Sequence, residues 1–267
     1  MGSRIDPSIT PKMEHLLKDY LCVGGMSEVV RDFAEVRDYR GAREIQNEIL
    51  QDYDSDYSKH MPARLLERAR LVWSGLPAQL AKENKKFMYG VVRPGARARD
   101  FEESIQWLID YGAVTRVPRV GALRVPLAGY ADAAAFKLFC VDIGLLGALA
   151  RLPVEAVLKG TSLFTEFKGS LAEQYVCQQL VAQGYEPHYW SSGTGRAELD
   201  FAIERGGLPL GIEVKAHENL QAKSLKVARD KFSLGLCVRT SLAGYRHEGW
   251  LVNIPLWAMA ALNRSLG

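Results

Sequence analysis

The chain has 267 residues, 48% of them hydrophobic, and carries 34 basic against 31 acidic side chains for a net charge of +3. This suits one or two globular domains and excludes an intrinsically disordered chain. The longest apolar region, Ile143 to Leu158, is interrupted by Arg151 and Glu155, so no bilayer-spanning segment is expected.

Charge is unevenly placed. Residues 1–60 hold 8 basic and 12 acidic groups, residues 61–150 hold 13 and 8, and residues 151–267 hold 13 and 11. The middle third is therefore the part suited to a polyanion. Cys22, Cys140, Cys177 and Cys237 lie far apart in apolar surroundings. They fit buried free thiols in a reducing cytosol, and a cytoplasmic location is expected. The five histidines show no metal-ligand spacing. The start, Met1-Gly-Ser-Arg-Ile-Asp, has no apolar signal core, and Met-Gly-Ser reads as a cloning remnant on an excised piece of a longer protein.

In chain order, Met13, Leu16, Leu17, Tyr20 and Leu21 recur at helical spacing, and Gly24-Gly25 ends that helix. Further helices through Glu28–Phe33 and Ile45–Tyr57 complete a helical segment over 1–60. Residues 61–150 follow as helix, helix and strands. Ala63–Trp73 puts Leu65, Leu66, Ala69 and Val72 on one stripe. Asp100, with Glu103 three residues on, predicts the capped start of a second helix that Gly112 ends. Val114–Val120 and Ala122–Leu127 predict two strands of a small wing. Such a winged-helix-like unit would place Arg97 and Arg99 ahead of a helix in the major groove, with Arg116 and Arg119 on phosphates. The same unit would serve equally as a protein-packing spacer, and Glu102, Glu103 and Asp110 on its helix would repel DNA.

Residues 151–267 predict a helix at Leu149–Leu158, a helix Phe164–Gln183 stopped by Gly184, a strand Pro187–Ser191 and then a hairpin. Leu199, Phe201 and Ile203 alternate with Asp200, Ala202 and Glu204; beyond Gly206-Gly207, Leu210, Ile212 and Val214 alternate with Gly211, Glu213 and Lys215. Two period-two runs around a Gly-Gly step predict a two-residue turn. Phe201 then faces Ile212, Leu199 faces Val214, and Asp200 faces Glu213. The apolar members share one face and the charged ones the other. Opposed carboxylates there have Cβ atoms about 4.5–5.5 Å apart and repel unless neutralised. A divalent cation such as Mg²⁺ is the usual solution. Lys215 lies about 6–7 Å along the strand on the same side, where an ammonium can orient a nucleophilic water. After the hairpin come a basic helical segment opened by Lys223, Lys226 and Arg229, a strand Leu234–Thr240 and an apolar helix Trp250–Leu262. Lys223 and Lys226 would track a phosphate backbone, and Arg196, in the loop feeding the hairpin, would contact phosphate near the metal. A Glu-x-Lys strand taken alone is common and usually marks a solvated face.

Asp200 followed by Glu213-Val-Lys215 resembles the core of the PD-(D/E)xK nuclease superfamily, with Leu199 where that group usually has proline. The resemblance implies an αβββαβ core, Mg²⁺ or Mn²⁺ on Asp200 and Glu213, Glu173 from the preceding helix as a third ligand, and Lys215 positioning the attacking water. More widely, Asp19–Val30, Ile49–Lys59, Phe136–Leu146 and the stretch around Glu173, Asp200 and Lys215 resemble the uncharacterised C-terminal region that follows an archaeal-type AAA+ ATPase module in many prokaryotic proteins. That implies an ATPase partner in cis or in trans, because the chain has no Gly-x-x-x-x-Gly-Lys-[Ser/Thr] phosphate loop.

The expectation is an α/β (α+β) protein: a helical segment over 1–60, a winged-helix-like domain over 61–150 and a nuclease-like αβββαβ domain over 151–267. Its expected function is a metal-dependent phosphodiesterase acting on DNA. The alternatives are a catalytically inactive nuclease fold that recognises nucleic acid or protein, and an interaction scaffold docking a partner through its acidic N-terminal helices.

Overall fold

A computed structural model describes residues 7–82, 85–160, 162–193, 195, 197–216 and 221–267. The protein is mixed α/β, with helices dominating the N-terminal region and an eight-stranded mixed sheet toward the C-terminus. In order come α1 (Thr10–Val23), α2 (Ser27–Val36), α3 (Tyr39–His60), α4 (Ala63–Leu80), α5 (Tyr89–Val92), α6 (Ala98–Asp110), β1 (Val114–Val120) and β2 (Ala131–Cys140). Then follow α7 (Ile143–Leu149), α8 (Val154–Lys159), α9 (Ser162–Ala182), β3 (His188–Ser191), β4 (Glu198–Arg205), β5 (Leu208–Val214), α10 (Lys223–Phe232), β6 (Cys237–Ser241), β7 (Arg246–Glu248), β8 (Leu251–Pro255) and α11 (Leu262–Leu266). Among the described residues no helix is long and apolar enough to cross a membrane.

The chain divides into two compact units. One holds residues 18–116 and 137–167; the other holds 1–17, 117–136 and 168–267, the divisions falling inside β1 and β2. The helical unit is built on aromatic packing. Tyr57, fully buried, meets Trp73, Trp107 and Tyr111 edge-on with ring centroids 5.2–6.3 Å apart. Edge-to-face rings add to their area burial because the quadrupoles align. Gly24 earns its place by close approach: a Cβ there would lie 2.2 Å from Asp142 Oδ1. Asp142 in turn caps α7 through the Leu145 N–H (3.0 Å) and accepts the Gly25 N–H at 2.7 Å.

In the sheet unit, α9, β3, β4, β5, α10 and β6 follow one another as helix, three strands, helix, strand. The β3–β4 and β4–β5 pairs are antiparallel and β5–β6 is parallel, the α10 crossover making the last possible. A core of Trp190, Leu199, Ala202, Leu225, Ala228, Leu234 and Cys237 fills the space between α10 and the sheet.

Several expected elements are displaced. The strand expected at Ala122–Leu127 is instead β2, and β1 is not a free wing: it pairs in parallel with β3 through Arg119–Tyr189 and Val120–Trp190. Ala131-Asp-Ala-Ala-Ala-Phe favours helix by propensity, and sheet pairing overrides it. Asp100 is not the first capping residue of α6 but stands at the third position of its capping box, accepting the Arg97 N–H at 3.3 Å. The helix expected over Leu149–Leu158 is two short helices, α7 and α8. The apolar run Trp250–Leu262 opens as β8 before turning helical, because β-branched Val252 and Ile254 suit a buried strand and Pro255 ends it. All four cysteines are buried and free, and burial pushes the thiols of Cys22, Cys140 and Cys237 up to about 12.

Candidate active site

The hairpin folds in the expected register. Gly206 and Gly207 take φ of 58° and 74°, the positive values a type I′ turn needs at both central positions. Pairs run from Arg205–Leu208 through Ala202–Gly211 to Phe201–Ile212. The pairing ends there, one step short of the expected Asp200–Glu213 pair.

On its other edge β4 behaves differently. His188 pairs with Ala202 but Trp190 pairs with Leu199, so two residues of β4, Asp200 and Phe201, oppose one of β3. This bulge resets the alternation. Leu199, expected beside Phe201 and Ile203, joins Ala202 in the core against α10. Its Cδ1 would lie 2.8 Å from a Cβ placed on Gly211, which is why that β5 position has no side chain. Bulges bend a strand and re-aim side chains. Here Asp200 is the re-aimed residue, and its Oδ2 accepts the Val214 N–H at 2.7 Å.

Glu213 is only 5% exposed. The Lys215 ammonium lies 2.7 Å from its Oε1, so the predicted same-side placement of these two is realised. Glu213 Oε2 is buried and has no hydrogen-bond partner among the described residues. An ionised oxygen in that state costs more than the roughly 1–3 kcal/mol of a neutral orphan unless something fills it. Glu173 is likewise buried, at 7% exposure. Among the described residues, however, no three or more of His, Cys, Asp and Glu gather as a metal cage, so Glu173 does not complete a trio with Asp200 and Glu213.

The next strand supplies residues that the sequence reading passed over. Arg239 of β6 is the register partner of Glu213 and is 1% exposed. Its Nε donates to Asn253 Oδ1 at 2.9 Å, and Nη2 lies 3.9 Å from Glu248 Oε2. Burial pulls the Arg239 pKa down, opposed by the carboxylates of Glu248 and Glu213. The available signal was an arginine in the middle of Leu236-Cys-Val-Arg-Thr-Ser, where a buried strand otherwise needs apolar residues.

The basic residues divide. Lys223 and Lys226 are exposed on α10, whose Leu225 and Ala228 face the sheet. Arg97 and Arg99 are exposed at the start of α6. Arg116 is instead held by Glu102 at 3.0 Å and Arg119 by Asp132, so each would have to leave an internal carboxylate to reach a phosphate. Arg196 lies outside the described residues.

Comparison with known proteins gives two matches. Residues 14–156 match a domain of unknown function, DUF8612, and residues 168–259 match another, DUF4143. No curated protein and no solved structure matches the chain. With more than half of its length covered by the first match, the chain belongs to the DUF8612 family and continues into a DUF4143 region that contains the Asp200–Glu213–Lys215 hairpin.

Proposed function

We propose that the region from residue 168 onward is a nuclease-like module that acts on DNA phosphodiesters with a bound divalent cation, working alongside an AAA+ ATPase in cis or in trans. The observation carrying this reading is Glu213 Oε2, a buried carboxylate oxygen with no hydrogen-bond partner, beside a lysine and next to a bulged aspartate. Such an oxygen fits a Mg²⁺ or Mn²⁺ ligand, and Mg²⁺ is satisfied with one or two carboxylates and several waters. Glu213 and Asp200 would hold the ion, with waters completing its shell. The ion would supply charge neutralisation at the scissile phosphate. The Lys215 ammonium, 2.7 Å from Glu213 Oε1, would also meet a water or phosphate oxygen arriving at the same spot. Exposed Lys223 and Lys226 would attract the phosphate backbone in a salt-dependent way. The ATPase association rests on the resemblance of segments along the chain, from Asp19–Val30 to the stretch around Lys215, to regions that follow such motors.

Incubation of supercoiled and linear duplex DNA with the full chain and Mg²⁺ or Mn²⁺ tests the reading. Divalent-dependent cleavage that Lys215→Ala abolishes, with the circular dichroism spectrum unchanged, is the expected result. Cleavage persisting in that variant removes Lys215 from the chemistry. A second reading, an inactive nuclease fold retained for recognition, is favoured by the Lys215–Glu213 ion pair, which already opposes the carboxylate's charge. It predicts DNA retention that weakens with salt and with Lys223→Ala/Lys226→Ala, but no strand scission in any divalent cation.

A further inference from the structure

The helical unit contains a second place where charge is buried without full compensation. The start of α3 and the stretch from α7 into α8 enclose a cleft of about 630 Å³. Arg43 lines it. One nitrogen of this guanidinium, Nη2, donates to the Leu152 carbonyl at 3.3 Å, while Nη1 is buried and has no hydrogen-bond partner among the described residues. The group lies flat against Gly147, where a Cβ would meet the two Nη atoms at 3.3 and 3.5 Å. A side chain at that position would press directly on the guanidinium. Burial lowers the Arg43 pKa, so an anion in contact with it would relieve an existing cost.

The rest of the lining has a particular chemistry. Arg40 and Arg151 both face the cleft, and neither is ion-paired among the described residues. The nearby Arg37 and Asp38 are already committed, Arg37 to Asp19 at 3.7 Å and Asp38 to the backbone at the start of α3. Glu44, Glu155 and Asn47 add acceptors, and Tyr39, Leu152 and Pro153 add flat or apolar wall. Cations in one site with carboxylate acceptors and an apolar wall are matched by one ligand containing an anion, hydroxyl donors and a planar ring. The cleft's size falls within the range of small-molecule sites. Guanidinium groups suit phosphate through their fork of donors, and carboxylates suit vicinal ribose hydroxyls.

We infer that this cleft binds a nucleoside monophosphate, with the phosphate among the guanidinium groups of Arg40, Arg43 and Arg151 and the sugar hydroxyls on Glu44 or Glu155. The site is separate from the hairpin carboxylates and does not depend on their function.

Isothermal titration of the full chain with AMP, GMP, CMP and UMP, and with adenosine and inorganic phosphate as controls, tests it. The expected result is saturable binding of at least one monophosphate, at least tenfold tighter than its nucleoside or phosphate alone. Arg43→Met should abolish that binding. Because Arg43 is partly structural, the exposed Arg40→Ala/Arg151→Ala double variant provides an independent arm, expected to weaken binding tenfold or more with the thermal midpoint unchanged. Absence of saturable binding for all four monophosphates would overturn the inference. So would binding unaltered in the double variant, or inorganic phosphate binding as tightly as the nucleotides.

Discussion

In the helical unit, Tyr57 sits among Trp73, Trp107 and Tyr111, while ion pairs such as Arg64–Glu103 and Arg70–Asp54 stay in solvent. In the sheet unit the order is reversed around β5 and β6. There Glu213 and Arg239 are nearly inaccessible, and Lys215 is two-thirds covered. Aromatic burial is an inexpensive route to stability, whereas desolvating a carboxylate and a guanidinium costs several kcal/mol per ion before their attraction is counted. A fold that needed only to be stable would fill those strand positions with valine or isoleucine. The contrast shows where the fold carries an electrostatic cost that a bound cation would offset, which is what the proposed function rests on. The Arg43 cleft repeats the lesson on a smaller scale within the helical unit.

This contrast can be broken at either end. The largest effect is expected at the aromatic hub: Tyr57→Ala should cost about 3–5 kcal/mol in urea denaturation, since truncating a large buried ring leaves a cavity. A loss below 1 kcal/mol would mean the hub is not what holds the helices. Next comes Lys215→Ala, which removes the ammonium from a buried carboxylate and should cost about 1–3 kcal/mol. Millimolar Mn²⁺ should restore much of that loss; a variant as stable as the parent without added cation would show that Glu213 needs no partner.

A smaller, pH-dependent term comes from His188, buried in β3 with Nδ1 3.0 Å from the Glu186 carbonyl. Burial, the main cause, lowers its pKa below the ordinary 6.5. The folded state therefore holds this ring neutral while the unfolded chain takes up a proton. Its contribution is complete above about pH 6.5 and is lost as pH falls toward the lowered folded value. His188→Gln should flatten the decline in stability between pH 7 and pH 5, and an unaltered slope would assign the decline to other groups. Smallest of all, Arg64→Ala should leave the urea midpoint within error, because exposed ion pairs contribute little. A clear shift there would erase the distinction between the two units.

What the sequence revealed follows the same physics. The hairpin was legible because Gly206-Gly207 specifies its own turn and the flanking residues alternate strictly, so Phe201–Ile212 pairing needed no tertiary information. The placement of Lys215 beside Glu213 came from the same alternation. The bulge at Asp200–Phe201 was not legible, since it arises from pairing with β3, and it moved Leu199 to the opposite face. β2 was hidden by its alanines, and β8 by an apolar run that suits helix and strand alike. Glu173, which the resemblance offered as a third ligand, is buried on α9, but it does not gather with the other acids among the described residues. Arg43 gave no signal at all, because its burial depends on Gly147 and Leu152, about a hundred residues away in sequence.

The central claim is that Glu213 holds a cation, and calorimetric titration of the full chain with Mn²⁺ tests it most directly, comparing the parent with Glu213→Gln and Asp200→Asn. The account predicts saturable binding by the parent and its loss in Glu213→Gln, with weakening in Asp200→Asn and both variants folded. Equal Mn²⁺ binding by parent and Glu213→Gln, or none by the parent, would contradict it.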